Sequence, residues 1–224
     1  MGMNAVYRGP SDLPSVLPVF PLSGALLLPR GDMPLNIFEP RYMAMIDDAL
    51  KSGARLIAMV QPDVVSDMMP KVPPLHAVGC AGRITQLAES GDNRYVLTLT
   101  GVARFRVVEE LLVTTPYRQC SVDFSPFTTD FEPRAGEDLV DRDAVIRTLK
   151  AFVEANDLAI DWKGINAAPS EALVNALCMM SPFETREKQA LLEAPDLKTR
   201  AEILVAITEM DLARGQDGSD APLQ

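Results

Sequence analysis

Catalysis needs nucleophiles, acids, bases or metal ligands at workable spacing, and few such residues combine in this sequence. Its single histidine, His76, excludes every site that requires two imidazoles. Any serine or cysteine triad would have to use that residue, and it follows Pro73-Pro74-Leu75, where a loop histidine is solvated or structural. Serine–lysine chemistry needs only two residue types that any chain supplies, so spacing leaves it open. Cys80, Cys120 and Cys178 lie far apart with no CxxC pair, which argues against a zinc knuckle or a disulfide framework. No Gly-Lys step occurs, so the Walker phosphate cradle is missing, and neither HExxH nor GxSxG is found. The acidic neighbours Asp47-Asp48, Glu109-Glu110 and Asp141-Arg142-Asp143 diverge on any regular element and read as solvated surface. Asp217-Gly218-Ser219-Asp220 lacks the twelve-residue frame of a calcium loop. Gly79-Cys80-Ala81-Gly82 has GXXG spacing, but it sits in an expected strand without basic neighbours, which suits a barrel corner. No catalytic, metal or cofactor site is therefore expected.

Eleven methionines are the one unusual feature of the composition. Most fall in regular elements as core filler, but Met68 and Met69 lie among prolines and charges between Asp63 and Pro74. Flexible thioethers on such a segment suit contact with varied apolar partners. Together with Val72 they are the candidate polypeptide contacts; the alternative is a loop that tucks both methionines onto the body of the protein.

The elements that would position these residues change character near residue 130. Before it, short apolar runs are broken by Pro and Gly: strands are expected at 17–22 and 26–28, at 35–39, 55–60 and 77–87, and from Tyr117 to Phe124. Period-two alternation at 95–100 follows a Gly91-Asp92 turn, and another strand follows Gly101. Between them, Tyr42, Met45, Ile46, Ala49 and Leu50 share a helical face over 41–51, opened by Pro40 and stopped by Gly53. Frequent turns and short strands suggest a bent sheet or partly closed barrel. Residues 125–133, with Pro126 and Pro133, read as the junction. Beyond them a helix over 137–155 (stripe Leu139, Ile146, Leu149, Val153) is followed by one carrying Leu173, Leu177 and Met180. Ser181-Pro182 with Glu184 reads as a capping box for the next helix, where Glu184 and Lys188 would pair. Asp196 would cap the last helix, with Leu197, Ala201, Leu204 and Ile207 on its buried stripe. The reading is α+β: a β-rich part over 15–125, a four-helix bundle over 134–213 and a loose tail over 214–224.

The composition is that of a soluble globular protein, with 47% hydrophobic and 23% charged residues over 224 positions. A net charge of −10 repels phosphate backbones and anionic lipid, so neither nucleic acid nor membrane is an expected partner. Most of that charge falls in the helical half. No apolar run is long enough for a membrane helix and no basic region precedes the first one, so, with no disulfide pattern, the expected location is cytoplasmic.

Leu17-Pro18-Val19-Phe20-Pro21-Leu22 and Pro34-Leu35-Asn36-Ile37-Phe38-Glu39-Pro40-Arg41-Tyr42 resemble the opening of the Lon-protease N-terminal domain, especially its stand-alone bacterial versions. The likeness continues through Val78-Gly79-Cys80-Ala81-Gly82-Arg83-Ile84 and Gly101-Val102-Ala103-Arg104-Phe105-Arg106-Val107, and covers about residues 15–212. It implies a PUA-like β pseudo-barrel followed by an α-helical bundle. In full-length Lon that region engages substrate polypeptides ahead of ATPase and Ser-Lys protease domains, neither of which this sequence contains. The implied role is a non-catalytic module for unfolded or apolar polypeptide segments. The alternatives are an adaptor docking a folded protein through the acidic bundle and, by fold analogy alone, RNA binding; the oligomeric state stays open. The motif residues carry structural expectations: Phe38 anchors the core, Pro40 presets the helix over which Glu39 and Arg41 pair, and Tyr42 starts its buried face. Gly101 permits a bend, and Phe105 is buried while Arg104 and Arg106 face outward.

Overall fold

A computed structural model of the chain describes residues 6–63, 72–91 and 94–219. Six strands, β1 (Val16–Pro21), β2 (Asp32–Ile37), β3 (Leu56–Val60), β4 (Val78–Ser90), β5 (Arg94–Glu110) and β6 (Arg118–Asp123), form one sheet in the order β2-β5-β4-β3-β1-β6. β5 also pairs with β6, so the sheet curls back on itself and closes, leaving β2 appended outside the ring. Closure removes all but the short β2 edge. It is possible because β5 runs 17 residues and serves three partners: 95–100 pair with β2, 94–106 with β4 and 106–110 with β6. β1 and β3 are parallel, with helix α1 (Pro40–Lys51) between them in the chain.

The α1 sequence dictates its placement. Pro40 occupies the first turn, where its missing N–H has no helical partner to lose, and Tyr42, Met45, Ile46 and Ala49 form the buried face. Gly53 takes φ +75°, which ends the helix without steric cost.

The helical half begins with a 3-10 segment, Ser125–Phe131, and a second at Glu137–Leu139. It continues as α2 (Arg142–Ala155), α3 (Trp162–Ala167), α4 (Ser170–Met180), α5 (Thr185–Glu193) and α6 (Leu197–Ser219). One buried cluster lies within the barrel, around Leu17, Val19, Ala81, Phe105, Cys120 and Val122. The larger cluster joins barrel, α1 and helices, running from Phe20 and Leu26–28 through Met45 and Leu97 to Val174, Leu191 and Leu204. The α+β reading holds.

Several local expectations change. Leu26, Leu27 and Leu28 are buried but form no strand; they belong to a strap, 22–31, laid between barrel and helices. The junction is packed instead of free, because Phe127 and Asp130 are buried against the barrel. The helix expected over 137–155 starts at Arg142, where Asp141 accepts the Ala144 N–H, and Leu139 is exposed. On α4 the buried face is Leu173, Val174, Asn175 and Cys178, which turns Met180 outward at 83% exposure. Ser181 closes α4, and the capping box sits three residues later, with Glu184 and Glu187 exchanging side-chain and main-chain hydrogen bonds. Lys188 donates to the Gly24 carbonyl (2.9 Å) and not to Glu184. α3 has too few apolar residues for periodicity to reveal it, so five α-helices replace the expected four. α6 continues through Ser219, past the start of the expected tail; residues 220–224 lie outside the described residues.

Candidate functional site: the seam between barrel and helices

Three arginines hold the seam. Arg104, in the middle of β5, is only 2% exposed. Its Nε and Nη2 donate to the two carboxylate oxygens of Asp130 (2.9 and 2.8 Å), its backbone N–H to Asp130 Oδ2 (2.8 Å), and its Nη1 to the Leu192 and Ala194 carbonyls. The guanidinium stacks on Phe127 at 4.6 Å. Arg104 was expected to face solvent; the 3-10 segment and the end of α5 cover that face, so the side chain is buried but fully paired. Arg106 does face outward.

Arg30, on the strap, pairs its Nε and Nη2 with Glu171 of α4 and donates Nη1 to the Asp130 carbonyl. Glu171 also accepts the Arg134 N–H (2.9 Å). The third arginine, Arg200 of α6, donates Nε to the Leu191 carbonyl (3.0 Å) and Nη1 to Asn175 Oδ1 (3.0 Å). Asn175 in turn donates to the Pro29 carbonyl (3.2 Å). Burial, and then the neighbouring Arg104 charge, pull the Arg200 pKa down to about 10. It remains a cation at neutral pH.

Two depressions open along this seam. A groove of about 360 Å³ runs between the strap and α4, walled by Pro29, Pro133, Pro169, Ala172, Ala176 and Met179, with Met180 at its rim. A cavity of about 210 Å³ beside it is lined by Arg104, Thr129, Asp130, Ala135, Pro195 and Arg200 among others. Both share Pro29, Arg30 and Glu171, so the Arg30–Glu171 pair is their common wall. The first depression is apolar; the wall of the second carries charged side chains of both signs.

The motif residues are scattered around this seam. Phe38 does not anchor the core: it is 62% exposed, because it lies just past the last ladder pair, Ile37–Tyr95, and points away from the sheet. Tyr42 is the anchor instead, edge-on to Phe20 at 4.4 Å, with its phenol pKa raised by burial. Glu39 and Arg41 pair at 2.8 Å on the surface, and Arg41 lies over the Tyr42 ring. Pro40 opens α1 as expected. Phe105 is buried against Phe124. At Gly101 the strand does not end. A register shift opposite Ala81/Gly82 bulges it, the Gly101 N–H donates to the Gly31 carbonyl (2.8 Å), and a Cβ would collide with the Leu28 carbonyl.

Met68 and Met69 lie outside the described residues. Val72 is exposed, and the neighbouring Pro73 carbonyl accepts from Arg118 (2.9 Å). Of the candidate contacts, none is brought to the seam among the described residues. Sequence reading missed Asp130, Glu171, Asn175 and Arg200. The signal for Arg200 was present: it falls on the buried α6 stripe between Leu197 and Leu204, where a charge demands partners.

The seam offers little reactive chemistry. All three cysteines are buried thiols; burial raises Cys120 to about 11 and Cys178 to about 12, and lifts Cys80 as well, so none supplies a thiolate. Among the described residues no cluster of His, Cys, Asp or Glu could hold a metal ion, and no helix is long and apolar enough to cross a membrane.

Comparison with known proteins places this architecture. The structure matches the N-terminal domain of the Mycobacterium avium complex Lon protease with a TM-score of 0.63 at 18% identity, covering 87% of this chain and 98% of that one. It matches a Lon N-terminal domain protein from Xanthomonas campestris with a TM-score of 0.59 at 22% identity, covering 85% and 97%. These likenesses show the fold. In sequence, the chain is 29% identical to Lon protease 2 of Myxococcus xanthus over 205 residues, 88% of this chain and 24% of that protein. It is 30% identical to the Lon protease of Dictyoglomus thermophilum over 203 residues, 84% and 24%. The chain thus spans about a quarter of the length of these relatives. Residues 16–209 match the family described as the ATP-dependent protease La (LON) substrate-binding domain, and the chain belongs to that family.

Proposed function

We propose that this protein recognises polypeptide segments and performs no chemistry on them. The observation that carries this reading is the apolar groove of about 360 Å³ between the strap and α4, within a domain of the LON substrate-binding family. Its walls are held by Arg30–Glu171 and Asn175–Pro29, so the groove is formed before a ligand arrives and little ordering cost falls on the protein. Exposed Met180 offers a flexible apolar edge that adapts to varied side chains. The lack of a Gly-Lys step, the single histidine and the unreactive thiols support a module without P-loop ATP hydrolysis and without histidine- or cysteine-dependent peptide cleavage. A net charge of −10 supports polypeptide over nucleic acid as the ligand, and three unpaired thiols suit a reducing, cytoplasmic setting.

Fluorescence anisotropy with labelled peptides from a denatured protein, without nucleotide, tests the reading. Saturable binding is expected, weakened about tenfold or more by Ala176→Glu, which sets a charge in the groove. Binding indifferent to Ala176→Glu would move the contact elsewhere, with Met68→Ser/Met69→Ser the next variant. Failure to bind any peptide, or turnover of ATP or casein by the purified chain, would overturn the function itself.

A further inference from the structure

Where the ring is closed, β2 alone presents an edge, but the β4–β5 hairpin runs on beyond it. β3 pairs with β4 only from Cys80 to Arg83, and the last main-chain bond from that side is the Ile84 N–H to the Arg55 carbonyl (2.9 Å). A register shift follows between Ile84 and Gln86, after which residues 86–90 keep a regular ladder with β5. Their other edge meets no strand among the described residues. Along such an edge alternate residues turn N–H and C=O outward, a row that only another extended backbone matches at every step. Little guards it. Gln86, Leu87, Ala88, Glu89 and Ser90 include no proline or lysine and a single charge, whereas β2 carries Pro34, which has no N–H to give. Apolar side chains flank the row on both faces, since neighbours in a strand point opposite ways. Leu87 is 42% exposed on one face, and on the other Ala88 lies opposite Val96, itself 49% exposed.

We infer that this edge takes an extended polypeptide segment as an added strand beside β4. The inference rests on the polypeptide-binding reading and deepens it. Main-chain pairing is blind to sequence; an unfolded segment offers it along its whole length, whereas a folded protein has used it in its own helices and sheets. Leu87 on one face and Ala88 with Val96 on the other favour apolar side chains on the segment. The edge is also continuous with the groove. Asp32 of the groove pairs with Thr100, which pairs with Arg83, and the Thr100 hydroxyl is bonded to both Asp32 (2.6 Å) and Thr85 (3.0 Å). Two strand spacings and three residues separate Asp32 from Gln86, about 14 Å across the sheet, which roughly five extended residues span. One segment touching both places is held more tightly than by either alone. A second copy of the chain is the poorer occupant, since five paired residues, about 17 Å of strand, cover far less than the roughly 800 Å² per partner of a stable complex.

Two peptides test this on the intact protein. One is a short peptide of alternating Val and Thr, blocked at both ends. The other has the same side chains but is N-methylated at two consecutive central amides, so that each of its edges loses a donor. The unmodified peptide is expected to bind and, at saturation, to slow hydrogen exchange of the outward amides within 86–90 by about tenfold or more. The N-methylated peptide should bind at least about tenfold more weakly. Leu87→Lys, a surface change that sets a charge on the edge, should weaken the unmodified peptide by a similar factor. In Ala176→Glu, with the groove spoiled, the protection of 86–90 at saturation is expected to persist. Equal binding of the two peptides, or binding with exchange at 86–90 unchanged, would overturn the added strand while leaving the groove reading in place. Protection of 86–90 that grows with protein concentration in the absence of peptide would give the edge to a second copy and overturn it as well. If neither peptide binds, nor any from a denatured protein, the polypeptide reading and the added strand fail together.

Discussion

At Arg104 the barrel buries a guanidinium and then surrounds it with acceptors. The pair with Asp130, the carbonyls of Leu192 and Ala194, and the Phe127 ring come from segments remote in sequence, so this side chain ties β5 to both the junction and α5. Removing one partner leaves the other charged and dry. Arg104→Met is therefore expected to cost about 3–5 kcal/mol in urea denaturation, and Arg104→Met with Asp130→Leu to cost less than Arg104→Met alone. Phe38→Ser, by contrast, should change stability by no more than about 0.5 kcal/mol, because its ring is mostly in water. The two residues show where reading by residue type stops. Period-two alternation separates one face of a strand from the other, but it does not say that a later segment will cover the outer face, as 125–131 covers Arg104. Nor does it place a residue one step past a ladder, as Phe38 stands past Ile37. Tyr42 was legible because it begins a run at helical spacing that nothing remote alters.

Among the elements, those defined by local pattern were readable and those defined by packing were not. α1, the β4–β5 hairpin and the Asp196 cap follow from proline placement, alternation and a side chain two to four residues from its target. The strap could not be read as what it is, since three consecutive leucines look the same as a strand and as a buried extended segment. The α5 start was misplaced because Ser181-Pro182 and Glu184 both satisfy the local rule; only the mutual bonds of Glu184 and Glu187 decide between them. Glu184→Ala is accordingly expected to cost about 1 kcal/mol, with Ser181→Ala smaller, by thermal unfolding. Acid should act on α6 in a defined sense. The Thr199 N–H holds the Asp196 carboxyl below its ordinary value, so this stabilisation is present above the unfolded pKa of about 3.9 and fades as pH falls through the lower folded value. Asp196→Ala should reduce stability at pH 7 and lose less than the parent between about pH 4 and pH 2, measured by urea midpoints.

The larger core takes residues from β1, the strap, α1, α4, α5 and α6, so the molecule is expected to unfold as one cooperative body. The composition shift near residue 130 separates strand-rich from helix-rich sequence, and the core crosses it. A fragment of residues 1–133 would strip the helices from the outer side of the strap and leave the Arg104–Asp130 pair without Leu192 and Ala194. It is expected to lack a cooperative unfolding transition by circular dichroism, whereas the full chain unfolds in one step. Two superimposable transitions in fragment and parent would show the barrel to be self-sufficient.

The strap has a consequence for how the protein is born. Its fastenings to the helices, Arg30 to Glu171, Asn175 to Pro29 and Lys188 to Gly24, join residues 141, 146 and 164 apart in the chain. At a translation rate of about 5–20 residues per second, the strap emerges from the ribosome roughly 7–30 s before the helices that cover its outer side. Throughout that interval the helix-facing side of the strap lacks its cover, so the final packing of the barrel has to wait for the C-terminal helices.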